Sequence, residues 1–159
     1  MRSLPPIARI LIALEAFLAI GAAAGAWALI ADRNGGDNVD MTLLEGTPFD
    51  SYLIPGLALL VLNCLFPLAV MALAVTRKPL AGPGHVAAGV VLMAWIGAQV
   101  GFIGYASLLQ PFFFLYGAAM TALGAMAMGY RLPVPGLGRA SRAATGSRRP
   151  PSRSGRRST

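Results

Sequence analysis

Tyr52 to Val75 reads YLIPGLALLVLNCLFPLAVMALAV, twenty-four residues without one charge. At ~1.5 Å of rise per residue this is roughly 36 Å of helix, enough to cross a hydrocarbon core of about 30 Å with some tilt. The stretch predicts a membrane span. An acidic segment, Asp32 to Asp50, precedes it and the pair Arg77 and Lys78 follows it. Because short cytoplasmic loops collect Lys and Arg, the Val75 end is expected inside.

Composition agrees with that reading. The 159 residues are 56% hydrophobic and 12% charged, where a soluble domain carries about a quarter charged residues. The net charge of +7 does not describe an evenly basic surface. Five of the six acids (Asp32, Asp37, Asp40, Glu45, Asp50) share one loop with Arg33, whereas the other bases are Arg2, Arg9, Arg77, Lys78 and the eight arginines from Arg131 onward. Membrane orientation produces such segregation. Arg outnumbers Lys twelve to one amid abundant Ala, Gly and Pro, which points to a GC-rich bacterial genome.

Working outward, three further spans are expected: residues 7–30, 86–105 and 111–130, beside 52–75. Pro5 and Pro6 suit the start of the first. A cleavable signal peptide competes there, given Arg2, Arg9 and Ala26-Trp27-Ala28. The apolar run, however, exceeds the ~7–15 residues of a signal core and contains Glu15. Loop one opens on the turn-rich Arg33-Asn34-Gly35-Gly36-Asp37-Asn38, after which Asp40 is placed to cap a short helical turn from Met41 to Glu45, stopped by Gly46. Asp50 or Ser51 is expected to cap the second span. Pro67, deep in that span, removes an N–H that the carbonyl of Asn63 would otherwise meet, so a kink is expected there.

In loop two, TRKPLAGPGH, Pro79 is read as the helix stop and Gly82-Pro83-Gly84 as the turn. His85 then sits at the mouth of span three, where a lone histidine reads as plain surface rather than a pH sensor. Gly97-x-x-x-Gly101, followed by Gly104, predicts a face open to a neighbouring helix. Tyr52, Tyr105, Trp27 and Phe112 to Phe114 fall at the predicted outer ends and Tyr130 at an inner end, as interfacial aromatics should.

The expected fold is therefore an all-α membrane protein. A four-helix transmembrane domain (1–130) carries a short outer-face segment in loop one, and a disordered Arg/Ser/Pro-rich tail (131–159) follows. The even number of spans places both termini in the cytoplasm of a bacterial inner membrane.

Few residues could carry chemistry. Glu15 is the sharpest signal, because an acid within a span usually faces the bundle or a wet cavity. Counted from the cytoplasmic ends, Glu15 lies roughly 10 Å deep, Thr121 13 Å, Asn63 18 Å and Gln99 20 Å, so Thr121 is its expected partner by depth. Two roles are open to Glu15: a proton or cation site, or a structural hydrogen bond holding the bundle together. In the tail, Arg139, Arg142, Arg148, Arg149, Arg153, Arg156 and Arg157 are candidate contacts for anionic lipid, at ~1 kcal/mol per basic residue near the surface. The competing reading is a solvated tail that only fixes orientation. The tail lacks interleaved aromatics, so nucleic acid is not an expected partner. One cysteine, Cys64, and one histidine leave no disulfide, metal-ligand spacing or Cys-His catalysis, since the two lie at different depths. No cofactor or enzymatic activity is expected.

Leu43 to Leu60 (LLEGTPFDSYLIPGLALL), with Trp95-Ile96-Gly97-Ala98-Gln99 and Ser107-Leu108-Leu109-Gln110-Pro111, resembles a family of small uncharacterised four-span bacterial membrane proteins. The resemblance covers about Ile10 to Tyr130 and implies topology, with Leu43 to Gly56 a real feature of the outer face, but no activity. A second likeness is to small multidrug resistance transporters, with Glu15 at the acidic position of the first helix and Trp95-x-Gly97 similar in the third. Loop one is about twenty residues here, where that family has tight loops, and the tail is additional, so no substrate carries over. The expectation is a structural or interaction component. The alternative is a small proton-coupled transporter working as an oligomer through Glu15, which gains if Glu15, Asn63 and Gln99 line one interior face.

Overall fold

The structure, a computed structural model, describes residues 4–37 and 40–129. Four helices, each long and apolar enough to cross a membrane, account for most of it: α1 (Pro6–Ala31), α2 (Leu53–Val75), α3 (Ala81–Ile103) and α4 (Leu109–Gly129). The spans expected at 7–30, 52–75 and 111–130 are thus present within two residues at either end. Much of each helix faces outward with large apolar side chains such as Phe17, Ile20, Val61, Leu65 and Leu115. In water such exposure would cause aggregation, whereas in lipid it is the expected exterior. The expected tail, its seven candidate arginines and Tyr130 lie outside the described residues.

The helices form two closely packed pairs, α1 with α2 and α3 with α4. Small residues allow the first approach: a Cβ on Gly56 would stand 2.8 Å from Ile30 Cγ1 and 3.1 Å from Leu29 Cβ. In the second pair, Gly117 faces Gly89, and a Cβ on Gly117 would stand 2.8 Å from the Gly89 carbonyl oxygen. The pairs meet around Leu18, Ala88, Leu92, Ile96 and Met120, with Phe66 and Tyr116 packed against them. Tyr116 also ties α4 to α1 by donating its hydroxyl to the Leu14 carbonyl at 2.8 Å.

Three local features depart from these expectations or add to them. Gly82-Pro83-Gly84 does not turn the chain but forms the opening of α3, which begins at Ala81, five residues before the expected start. Pro83 is tolerated there because first-turn N–H groups have no partner within a helix. Both glycines sit in close contacts: a Cβ on Gly84 would meet the branched Val70 at 2.9 Å (Cγ1) and 3.1 Å (Cγ2), and one on Gly82 would meet the more pliable Met128 side chain at 2.9 Å. Secondly, Pro67 is preceded by a π-helical turn, Leu60–Leu65, in which the chain widens: Phe66 N–H donates to the Val61 carbonyl five residues back. The wider turn brings the consecutive residues Asn63 and Cys64 both into the interior. Thirdly, a Cβ added at Gly97 or Gly101 would meet nothing within 4 Å, the close approach between α3 and α4 lying at Gly89, Gly117 and Gly124.

Loop one folds over one end of the bundle. Asp40 accepts from Thr42 N–H at 2.9 Å and caps a 3-10 turn, Met41–Leu44, close to the expected one. Gly46 follows at φ +80°, a conformation costly for residues with a Cβ. Leu44 and Tyr52 are buried, the Tyr52 hydroxyl donates to the Asp40 carbonyl, and Phe49 packs edge-on against Phe102 of α3 at 5.6 Å. Tyr52, rather than Asp50 or Ser51, occupies the cap position of α2, and no side chain caps that helix. This end carries the loop's acids and is the acidic end; the opposite end, with Arg9, Arg77 and Lys78, is the basic end.

Candidate functional site

Glu15 is fully buried, and its partner is His85: Nδ1 and Oε1 are 2.6 Å apart. Neither Thr121 nor Arg9 fills that role. Thr121 donates its hydroxyl to the Gly117 carbonyl of its own helix at 2.9 Å, and Arg9 is exposed. Nor is His85 plain surface, being 3% exposed. The early start of α3 explains this, because it puts a full turn of helix ahead of His85. Gly82, Gly84 and Gly124 let that turn sink between α2 and α4: a Cβ on Gly124 would stand 3.1 Å from His85 Cβ.

At least one proton must lie between Nδ1 and Oε1 for so short a contact to be attractive. The pair can hold it as an imidazolium–carboxylate ion pair, as a neutral imidazole donating to a carboxylate, or as a carboxylic acid donating to the ring. The second carboxylate oxygen, Oε2, has no hydrogen-bond partner. On its basic-end side, His85 lines a cavity of ≈ 640 Å³ together with Pro5, Ile7, Ala74, Leu123 and Met126. Glu15 lines neither this cavity nor the one described next, and His85 stands between it and the basic-end cavity.

Towards the acidic end, beyond Leu18 and Leu92, lies a separate groove of ≈ 320 Å³. Asn63 and Gln99 both line it, walled by Trp95 and Phe113. Asn63 is 1% exposed, and neither Oδ1 nor Nδ2 has a partner. The structure therefore brings two of the four intramembrane candidates, Asn63 and Gln99, to one cavity and gives Glu15 and Thr121 other surroundings.

Gln110, not a candidate from the sequence, is satisfied locally. Its Oε1 accepts from Ala106 N–H at 2.9 Å and its Nε2 donates to the Gly104 carbonyl at 3.1 Å, closing the loop between α3 and α4. Gly104 takes φ +67° at this corner. Among the described residues, no group of three or more His, Cys, Asp or Glu is arranged to hold a metal ion.

Comparison with protein-family models, curated proteins and solved structures finds no match. The burial of His85 is hidden in the sequence by Gly82-Pro83-Gly84, whose turn-like chemistry places the histidine at the mouth of a span rather than one turn inside it. The signal that could have found it is the pairing of one intramembrane acid with the chain's one histidine.

Proposed function

We propose that the protein is a non-catalytic integral component of a bacterial inner membrane, with its basic end in the cytoplasm, whose Glu15–His85 contact clamps the α1–α2 pair to the α3–α4 pair. The observation that carries this reading is the complete burial of the only intramembrane carboxylate against an imidazole on the opposite helix pair. An acid used in this way gains a polar partner for Oε1 and fixes how two helix pairs dock. Lipid tails do not distinguish one apolar helix face from another, so such polar contacts set the arrangement. Asn63 and Gln99 face the acidic-end groove while Glu15 turns to His85, which argues against one continuous polar passage.

A second reading, proton-coupled transport, is favoured by the cavities on either side of the Leu18–Leu92–Met120 layer. Purified protein reconstituted with a trapped pH dye and a clamped potential separates the two. The clamp reading expects proton flux equal to protein-free vesicles. Flux that appears with the wild type and vanishes in Glu15→Gln would establish transport instead.

A further inference from the structure

The acidic-end groove holds an unmet demand. Asn63 keeps both polar atoms of its carboxamide buried and unpartnered, and the π turn before Pro67 is what aims them inward. A side-chain amide in an apolar setting without partners is destabilising, and isosteric apolar replacement removes that cost. No charged side chain lines the groove, whose walls are Leu18, Leu92, Trp95 and Phe113, with Gln99 and Gln110 as the further amides lining it. An ion would find nothing there to neutralise it. At the mouth, Gln110 is already committed to the α3–α4 loop.

We propose that this groove binds a small uncharged molecule: a ring-sized apolar body carrying one adjacent donor and acceptor, such as a primary amide, a lactam or a protonated carboxylic acid. Its volume of ≈ 320 Å³ is at the lower end for ligand sites, which run from about 300 to 1,000 Å³. The head group pairs with Asn63 Oδ1 and Nδ2 together, and the body lies between the Trp95 and Phe113 rings. The site goes beyond the clamp reading and does not depend on it, since occupancy is read at equilibrium without any transport or partner protein.

The test uses the full chain in detergent with Trp27→Phe, which leaves Trp95 as the only tryptophan. Its emission is titrated with benzamide and with isopropylbenzene, which has the same heavy-atom connectivity, a similar size and no polar atoms. Benzamide should bind saturably and at least tenfold more tightly, and Asn63→Leu should erase that preference while leaving isopropylbenzene within twofold. Equal binding of the two probes, or a benzamide preference that survives in Asn63→Leu, overturns the proposal. If Asn63→Leu does not fold, the Asn63 side-chain NH₂ resonance decides in the Trp27→Phe protein: it should shift with benzamide and not with isopropylbenzene, and an unmoved resonance overturns the site.

Discussion

Breaking a buried polar pair and replacing it have opposite consequences. Removing one partner of Glu15–His85 strands the other in an apolar interior, whereas replacing both with apolar groups strands nothing. Glu15→Leu and His85→Phe should each destabilise the protein, while the double variant should approach the wild type. Thermal unfolding in detergent across the double-mutant cycle should return a coupling of about 1 kcal/mol, within the ~0.6–1.7 kcal/mol measured for polar contacts between membrane helices. Glu15→Gln keeps a hydrogen bond to Nδ1 without the charge, so its position between wild type and Glu15→Leu shows how much of the contact is ionic.

Asp40 is the residue at which pH should act outside the membrane. Hydrogen bonds from the Thr42 backbone and side chain hold its carboxyl below the ordinary value of 3.8. A carboxyl with a lowered folded value stabilises its structure above the unfolded value, and that contribution disappears as pH falls through the folded one. The cap should therefore be intact at neutral pH and weaken only below about pH 4. Protection of the Thr42 amide against exchange, compared at each pH with Asp40→Asn, should fall in the wild type over that range. The variant, which caps without ionising, should show no such step.

At the scale of elements, the two kinds of glycine in the hairpin of α3 and α4 should respond differently to a methyl group. A Cβ on Gly124 would stand 2.9 Å from the Val86 backbone nitrogen, which cannot swing aside. Gly124→Ala should force the helices apart, costing about 1–3 kcal/mol and loosening the His85 contact. Gly97→Ala and Gly101→Ala enter open space and should be neutral or stabilising by up to about 1 kcal/mol through helix propensity alone. Unfolding midpoints of the three variants check this contrast.

The same residues mark where sequence reading succeeds and stops. Span existence depends on local hydropathy, and the Asp40 cap and Gly46 stop act within a few residues, so both were legible. Gly82-Pro83-Gly84 has the local chemistry of a turn. Its helical state comes from packing against Val70 and Met128, which are remote in sequence. Which face of α3 carries the close contact, and hence where His85 points, is likewise fixed between helices. Depth counted from each helix's own end paired Glu15 with Thr121, because that count treats the ends as level and says nothing of direction around the axis. The coincidence of Asn63 with Pro67 is visible in the sequence, whereas the π turn that widens the helix there is not, because an N–H lost to proline leaves the hydrogen-bond register free to shift.

For the whole molecule, the charge segregation makes a claim about direction that is independent of the site. Acids cluster in loop one at one end of the bundle, and Arg9, Arg77 and Lys78 at the other. If the positive-inside bias orients this chain, every basic-end position is cytoplasmic, and inverting the bundle would carry all of them outward. Cys64 is the sole cysteine and is buried, so Cys64→Ala gives a background for placing single cysteines. In intact cells, a membrane-impermeant maleimide should label Glu45→Cys at once and Lys78→Cys only after permeabilisation. The opposite pattern would move the His85 cavity to the outer face and the Asn63 groove to the cytoplasmic one. The groove's ligand would then come from inside the cell, and the proton on the clamp would exchange with the outside. Equal labelling of both sites would mean a mixed population of orientations, in which neither cavity has a fixed side.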